Sequence, residues 1–344
     1  MEFYIFTEKT SDFQTFVGGQ VNNSLELCNI APLFKQAFYE HVCAWVCEEL
    51  WEELITQYKS DKLSEWNEKL LPLMQQTIAW YTLFEYSFVG EIQVSDSGFH
   101  RVESEKHKSA YKYQTNNARF RYLKFACQCK ERMLLHLDKY AARYPLWSKS
   151  DCRDEVRCLF INWTKDFNRY YTGKADRCTY ECLRPIMKMI ECFLLDECFG
   201  EKFINYLRDL NREKPKNLRA CDKKLLDLIK FSIVNLSIQD ALVRGMVQIS
   251  PIGTVQSTFG RTENYVKEAP AERMTVKYVV SHYKQWGEDL WTKVKEHLDN
   301  NADKYPLYED FCAQMCACTC SYECEEEIIY EPEAIKGNRG FLSL

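Results

Sequence analysis

The feature that most constrains the fold is an internal repeat: the second half of the chain follows the first at an offset near 155 residues. Self-similarity at a fixed period indicates a duplicated structural unit. The matching segments recur in one order along the chain: Asp12-Phe13 with Asp166-Phe167, Pro32 with Pro185, Leu70-Leu71 with Leu225-Leu226, Gln93 with Gln248, Gly98 with Gly253, and Tyr144-Pro145-Leu146 with Tyr305-Pro306-Leu307.

We therefore predict a mainly α fold that is a tandem duplication of one helical-bundle unit. The first unit covers residues 1–150, the second covers residues 151–310, and a cysteine-rich, acidic arm occupies residues 311–344. Each unit opens with a short apolar, aromatic run, Phe3 to Phe6 and Cys158 to Trp163, which predicts a strand or an extended arm.

Long helices are expected to follow in each unit. Proline at a first helical position predicts helix starts near Pro32 and Pro185, and the first of these helices should end near Tyr58. A second helix is expected from about Ser64 to Phe88, then an ordered loop over residues 90–100. A long helix should run from about Val102 to Ala142, and its counterpart in the second unit is interrupted by Pro270.

Composition excludes several classes of protein. The net charge of -5 and the absence of a basic cluster disfavour a protein that grips nucleic acid through its phosphates. No window holds 18 uninterrupted apolar residues, so no membrane span is expected. The first residues do not have the pattern of a signal peptide, and the seventeen cysteines are therefore expected to be reduced, inside a cell.

Catalytic signatures are missing as well. The sequence has no phosphate-binding glycine loop, no dinucleotide fingerprint, no nucleophile elbow and no zinc-hydrolase motif. One cluster, Asp96 with His100, Glu103, Glu105 and His107, has the residue types of a metal site. The matching loop of the second copy, residues 251–256, contains neither carboxylate nor imidazole. Neither a catalytic residue nor a cofactor is therefore predicted.

The cysteines of the arm leave two interpretations open. Cys312, Cys316, Cys318, Cys320 and Cys324 fall within thirteen residues, and four thiolates can hold zinc in a tetrahedron. Their spacing is not that of a standard zinc finger, so a segment that packs in a core or an interface is the alternative. The Tyr-dotted polar stretch from Lys106 to Tyr122, which includes Arg119, is the better candidate for a protein interface.

A motif in the first unit resembles a protein family of phages and prophages of Bacteroides and their relatives. The residues that carry the resemblance are Ser95, Asp96, Ser97, Gly98, His100, Arg101, Glu103, Lys108, Ala110, Tyr111, Lys112 and Gln114. The second copy keeps only the Gln-x-Ser-x-x-Gly and Tyr-Pro-Leu landmarks. The likeness extends to the helical connector proteins that form a ring below the portal, including those of crAss-like phages.

The resemblance implies a virion structural protein at the head-to-tail junction, made in the host bacterial cytoplasm. It implies a ring of twelve copies, contacts with the portal and neighbouring tail or ring proteins, and viral DNA passing through the channel without specific binding. The interface residues it implies are Asp96, Gly98, His100, Arg101, Glu103, Lys108, Tyr111, Lys112 and Gln114. The alternatives are a scaffold or regulatory binding module, and a metal-dependent enzyme that uses the Asp96 to His107 cluster.

Overall fold

The computed structural model describes residues 5–6, 9–21, 25–90, 92–95, 98–101, 111–212, 218–244, 247–249, 255–257 and 273–319. This part of the chain is mainly helical, and one order of helices around a β-hairpin occurs in it twice. The predicted fold class, a tandem duplication of a helical unit, is confirmed.

The first unit begins with short helices and continues into two long ones. Its elements are α1 (Thr10–Val17), α2 (Ala31–His41), α3 (Cys43–Val46), α4 (Glu48–Lys59), α5 (Glu65–Val89), β1 (Ile92–Ser95), β2 (Gly98–Arg101), α6 (Lys112–Lys139), α7 (Pro145–Ser148) and α8 (Asp151–Arg157).

The second unit follows the same order. Its elements are α9 (Thr164–Tyr170), α10 (Arg177–Met189), a π-helical segment (Ile190–Leu195), α11 (Asp196–Phe199), α12 (Glu201–Arg212), α13 (Ala220–Val243), β3 (Val247–Ile249), β4 (Val255–Ser257), α14 (Arg273–Asp299) and α15 (Pro306–Thr319).

Each core is built around a pair of long helices joined by a hairpin, α5 with α6 and α13 with α14. The Ser64 hydroxyl caps α5 by accepting from the Asn67 amide at 3.2 Å. Apolar residues at helical spacing then bury one face of α5, among them Leu70, Met74 and Ile78. The helix predicted from Ser64 to Phe88 is thus confirmed.

The helix expected from Pro32 to Tyr58 is not continuous, and that prediction is wrong in this respect. The chain breaks at Val42 and again at Cys47, whose φ is 65°. The second unit breaks at the equivalent place, at Gly200 with φ 84°. An α-helix cannot pass through a residue with positive φ, so each unit bends there into a separate helix, α4 or α12.

The helix start predicted at Pro185 is also wrong, whereas Pro32 does lie in the first turn of α2. In the second unit the helix begins two turns earlier, because the Asp176 carboxylate accepts from the Thr179 amide at 2.9 Å and caps α10. Pro185 then lies inside α10, where its ring removes one backbone hydrogen bond.

Residues 92–95 and 98–101 form two paired strands where a loop was predicted. Strands β1 and β2 pair antiparallel, with Gln93 opposite His100 and Ser95 opposite Gly98. Strands β3 and β4 repeat this arrangement, with Gln248 opposite Gln256. Helix α6 starts at Lys112 instead of near Val102, since Tyr111 is extended and occupies the N-cap position.

No strand forms at the start of the second unit. Residues 158–163 consist of bends and irregular backbone, and Leu159, Phe160 and Ile161 are buried in the core from there. The corresponding Phe3 and Tyr4 of the first unit lie outside the described residues, while Ile5 and Phe6 form a turn and a bend.

Two hydrophobic clusters form, one for each unit. The first contains residues from Ile5 to Val156 together with Cys178, and the second runs from Leu159 to Tyr308. The change from one core to the other therefore falls at residues 157–158, close to the predicted boundary at 150. In the described part of the chain, no helix is both long enough and apolar enough to cross a bilayer.

Candidate functional site

A group of buried and partly buried charges lies where the two units meet, between α6 of the first unit and α10 of the second. The Lys130 ammonium donates to the Glu181 carboxylate at 2.8 Å. The Arg177 guanidinium donates to the other oxygen of Glu181 at 2.9 Å and lies 3.6 Å from Glu131. We call these four residues the junction cluster.

Helical spacing places these charges together. Arg177 and Glu181 are four residues apart on α10 and share a face, and Lys130 and Glu131 are consecutive on α6. Glu131 also accepts from the backbone amide of Thr164 at 3.0 Å, which ties the start of α9 to α6. The cluster contains two positive and two negative groups, so its charge is balanced.

The surroundings of the junction cluster are apolar and aromatic. The Lys130 nitrogen lies 5.4 Å from the ring centres of both Trp45 and Tyr81, and Arg184 lies 4.8 Å from that of Trp45. Such cation–aromatic contacts add to the attraction between the two units when water is excluded.

Burial alone would raise the pKa of Glu181, but the charges and hydrogen bonds of Lys130 and Arg177 hold it below its ordinary value. Burial likewise opposes the charge of Arg177, while Glu181 raises its pKa. Glu181 and Arg177 therefore favour their ionised forms. With its hydrogen bonds and ion pairs, the cluster connects the first unit to the second.

A groove of about 850 Å³ opens beside the junction cluster, and we call it the inter-unit cleft. Helix α6 forms one side, and the segment from Thr164 to Thr179 forms the other. Two of its apolar side chains, Phe125 and Leu135, are each 42% exposed.

Two stretches of the chain, residues 30–157 and 186–317, match DUF6712, a family of unknown function. Together these matches cover more than half of the chain. The chain belongs to the DUF6712 family. Neither a curated protein nor a solved structure matches it.

The two DUF6712 matches cover most of both units, but the stretch between them contains Arg177 and Glu181. Half of the junction cluster thus comes from outside the matched stretches. The second match also begins inside α10, after the helix start that carries these two residues. The junction cluster is therefore a feature that joins two DUF6712 copies.

Only some of the residues that the phage-family resemblance implied can be placed. Gly98, His100 and Arg101 lie on β2, and Lys112 is the first residue of α6. Tyr111 is 70% exposed, and its backbone N–H donates to the Gln114 side chain at 3.1 Å. Asp96, Glu103 and Lys108 lie outside the described residues. The structure therefore does not test the metal cluster from Asp96 to His107.

Arg119 and Tyr122 are partly buried within the first unit. The Arg119 guanidinium donates to the Ser87 carbonyl at 2.6 and 3.1 Å and lies 4.4 Å from the Phe88 ring centre. Tyr122 lies beside Trp80, with ring centres 5.9 Å apart. Both side chains therefore hold α6 to α5.

The cysteines of the arm fall at the end of α15. Cys312 is partly buried against the second core, and Cys316 and Cys318 follow it on the same helix. Cys320 and Cys324 lie outside the described residues. The structure therefore does not test a zinc site in the arm.

One group of potential metal ligands that sequence reasoning missed lies among the described residues: Glu40, His41 and Glu85. His41 Nε2 is 2.8 Å from Glu85 Oε1 and 4.0 Å from Glu40 Oε2, and the imidazole stacks on Tyr81. The short His41–Glu85 contact and the stacking account for this arrangement without an ion. Spacing in the sequence gave no signal, because His41 and Glu85 are distant along the chain.

A second buried acid that the sequence did not reveal is Glu191, in the π-helical segment. Its Oε1 accepts from the Phe160 amide at 2.9 Å, and its Oε2 lies 3.9 Å from Arg208 without a hydrogen bond. Burial raises the pKa of Glu191 to about 8, against the opposing effects of the amide and Arg208. This carboxyl group therefore gains or loses its proton near neutral pH.

Proposed function

We propose that this DUF6712 chain is a structural subunit of a tailed-phage virion, which assembles into a ring at the head-to-tail junction and has no catalytic role. The resemblance carried by Ser95 to Gln114 supports the virion assignment. The observation that carries the assembly is a difference between α6 and α14, the equivalent helices of the two units.

The two helices align at an offset of 161 residues, which pairs His136 with His297 and Tyr144 with Tyr305. On α6, the residues that contact the second unit or the connection to it are all at least partly covered. They are Leu123, Lys124, Cys127, Lys130, Glu131 and Asp138. On α14, five of the six equivalent positions are exposed. These positions are Lys284, Gln285, Glu288, Trp291, Thr292 and Asp299, of which Trp291 is partly covered.

Helix α6 is therefore covered by the next unit, whereas no further unit covers α14 in the part of the chain that the structure describes. If a second copy places its first unit on α14 as the second unit lies on α6, the packing between units continues from chain to chain. Such head-to-tail contacts are heterologous, and they close into a ring when the rotation per chain divides a full turn.

Helix α14 has exposed aromatic side chains, which a neighbouring subunit in the ring would cover. Tyr278 is 75% exposed and Trp286 is 43% exposed, and the latter is equivalent to Phe125, which lines the inter-unit cleft. Aromatic residues are enriched at protein interfaces, where they bury much surface at little cost in conformational entropy.

Partners beyond the ring follow from the same proposal. The portal on one side and neighbouring tail or ring proteins on the other would contact the ring faces, and twelve copies is the number that the resemblance implies. The net charge of -5 suits a conduit through which viral DNA passes without adhering.

Mass photometry and negative-stain imaging of the full chain test this proposal. We expect a closed ring, and we expect the triple substitution Lys284→Glu, Glu288→Lys and Trp286→Ala to reduce it to monomers. Lys223→Glu, an exposed position on α13, is the matched control and should leave the ring intact. A monodisperse monomer at high protein concentration that also fails to bind a portal would refute the ring.

The alternative is a non-catalytic scaffold or regulatory binding module, and the inter-unit cleft favours it. A groove with exposed apolar and basic side chains can hold a peptide from a partner without any ring. The two functions are separated by the same experiment: a module would remain a monomer or dimer, and the α14 substitutions would not change its mass.

A further inference from the structure

The inter-unit cleft has an excess of positive charge. Its lining contains Lys124, Arg132, Lys165, Lys174 and Arg177, against only two carboxylates, Glu131 and Asp176.

Both carboxylates of the cleft are already engaged. Glu131 accepts from the Thr164 amide and lies near Arg177, while Asp176 caps α10 and lies 3.8 Å from Lys124. Lys165 and Lys174 are exposed. Within the described part of the chain, no carboxylate oxygen lies within 4 Å of either lysine nitrogen.

The sequence contains one segment with the opposite character. Residues 321–335 hold six glutamates and no lysine, arginine or histidine, so this segment carries more negative charge than the net charge of the whole chain. In its middle stand three apolar residues, Ile328, Ile329 and Tyr330.

We propose that the inter-unit cleft binds the chain's own C-terminal segment, residues 320–344, with its glutamates on Lys165 and Lys174 and its apolar triplet on Phe125 and Leu135. The charges are complementary, and the exposed apolar residues of the cleft match those of the segment. This docking is independent of ring formation.

Effective concentration favours the segment of the same chain over that of a neighbour. Glu325, Glu326 and Glu327 follow Thr319, where α15 ends, by six to eight residues, which span up to about 30 Å when extended. A tethered segment has an effective concentration on the order of millimolar, above that of free neighbouring chains in dilute solution. The ion pairs are exposed, so salt should weaken them.

Zero-length carbodiimide crosslinking of the full-length protein tests the docking, with peptide mapping by mass spectrometry. A mixture of ¹⁵N-labelled and unlabelled chains distinguishes links within a chain from links between chains. We expect Glu325, Glu326 or Glu327 to be joined to Lys165 or Lys174 within one chain, and these links should disappear in 1 M salt, where the Debye length is about 3 Å.

Two lysines that are exposed elsewhere, Lys59 and Lys223, serve as internal controls and should remain unlinked to the segment. In the full-length Lys165→Gln/Lys174→Gln variant, amide hydrogen exchange over residues 320–344 should become faster than in the wild-type protein. Links of the segment to Lys59 and Lys223 as frequent as those to the cleft would overturn the proposal. Links only between chains of different isotope would overturn it as well, and so would unchanged exchange in the variant.

Discussion

Helices α6 and α14 occupy the same place in the two units, yet their surroundings differ. Lys130 of α6 is 4% exposed and is held by Glu181 between two aromatic rings, whereas its equivalent on α14 is Trp291, which packs on Phe199 in its own unit. The duplicated units have thus kept their internal helix pairs and diverged where one unit contacts the other.

A second pair of equivalent positions shows the same divergence inside the cores. Phe38 of α2 stacks on Trp51 with ring centres 4.0 Å apart. Its equivalent in the second unit is Glu191, which is fully buried beside Arg208. An apolar contact in the first unit is thus replaced by a titratable group in the second, and this position adds a response to pH to the second core.

The largest effect is expected from Lys130→Met at the junction. This substitution removes the positive charge that offsets the cost of burying the Glu181 carboxylate. The free energy of unfolding should therefore fall by about 3 kcal/mol. Urea denaturation followed by circular dichroism measures it.

The double variant Lys130→Met/Glu181→Leu should recover much of this loss, because no buried charge is then left without its partner. Lys293→Met, on the exposed face of α14, should change the free energy of unfolding by less than about 0.5 kcal/mol. If Lys130→Met and Lys293→Met lowered the free energy of unfolding equally, the contacts of Lys130 with the second unit would contribute nothing to stability.

The next effect concerns Glu191 and pH. Its pKa is raised in the folded protein, so between about 4.5 and about 8 the folded state holds a proton that the unfolded chain releases. Raising the pH through this window should therefore lower the free energy of unfolding, by up to about 1.4 kcal/mol per pH unit.

Glu191→Gln should remove this contribution, since the amide stays neutral and can still accept from the Phe160 amide. Urea denaturation at several pH values from 5 to 8 should then give a flatter profile and a more stable protein at pH 8. Glu197→Gln, on α11, is the control and should keep the wild-type profile. A profile for Glu191→Gln as steep as the wild-type one would contradict the assigned protonation.

The breaks at Cys47 and Gly200 give a third comparison. A Cβ at Gly200 would lie 2.7 Å from the Phe311 ring, and φ is 84° there, so Gly200→Cys should cost about 2 kcal/mol. Cys47→Gly should change stability by less than about 1 kcal/mol, because relief of strain offsets the lost thiol packing and the greater freedom of the unfolded chain. Thermal unfolding of both variants checks the asymmetry.

The repeat and the long helices could be predicted because they rest on local signals, the period-3.6 apolar pattern and the Tyr-Pro landmarks. The breaks could not. Cys47 is not a residue that indicates a positive φ, and Pro185 lies within a helix that Asp176 caps two turns earlier. The hairpins were missed because strands of three or four residues are too short to show a clear alternation.

The junction cluster was missed for a different reason. Lys130 and Glu181 are separated along the chain, and each fits a solvated helix face when its own segment is considered alone. Their burial depends on how the second unit packs on the first. The duplication indicated two units, but it contained no signal for the residues that join them.

The smallest expected effect compares the starts of α5 and α13. Ser64 caps α5 through its hydroxyl, whereas the equivalent Arg219 has no capping side chain and instead donates to Asp222 at 2.8 Å through two nitrogens. Ser64→Ala should cost about 1 kcal/mol, because an amide at the start of the helix loses its acceptor. Arg219→Ala should cost less: Arg219 is exposed and screened by water, and Asp222 keeps a favourable position in the first turn, where a negative charge suits the helix dipole. Chemical denaturation of both single variants measures the difference, and a larger loss for Arg219→Ala would mean that the ion pair, rather than the helix dipole, holds Asp222 in place.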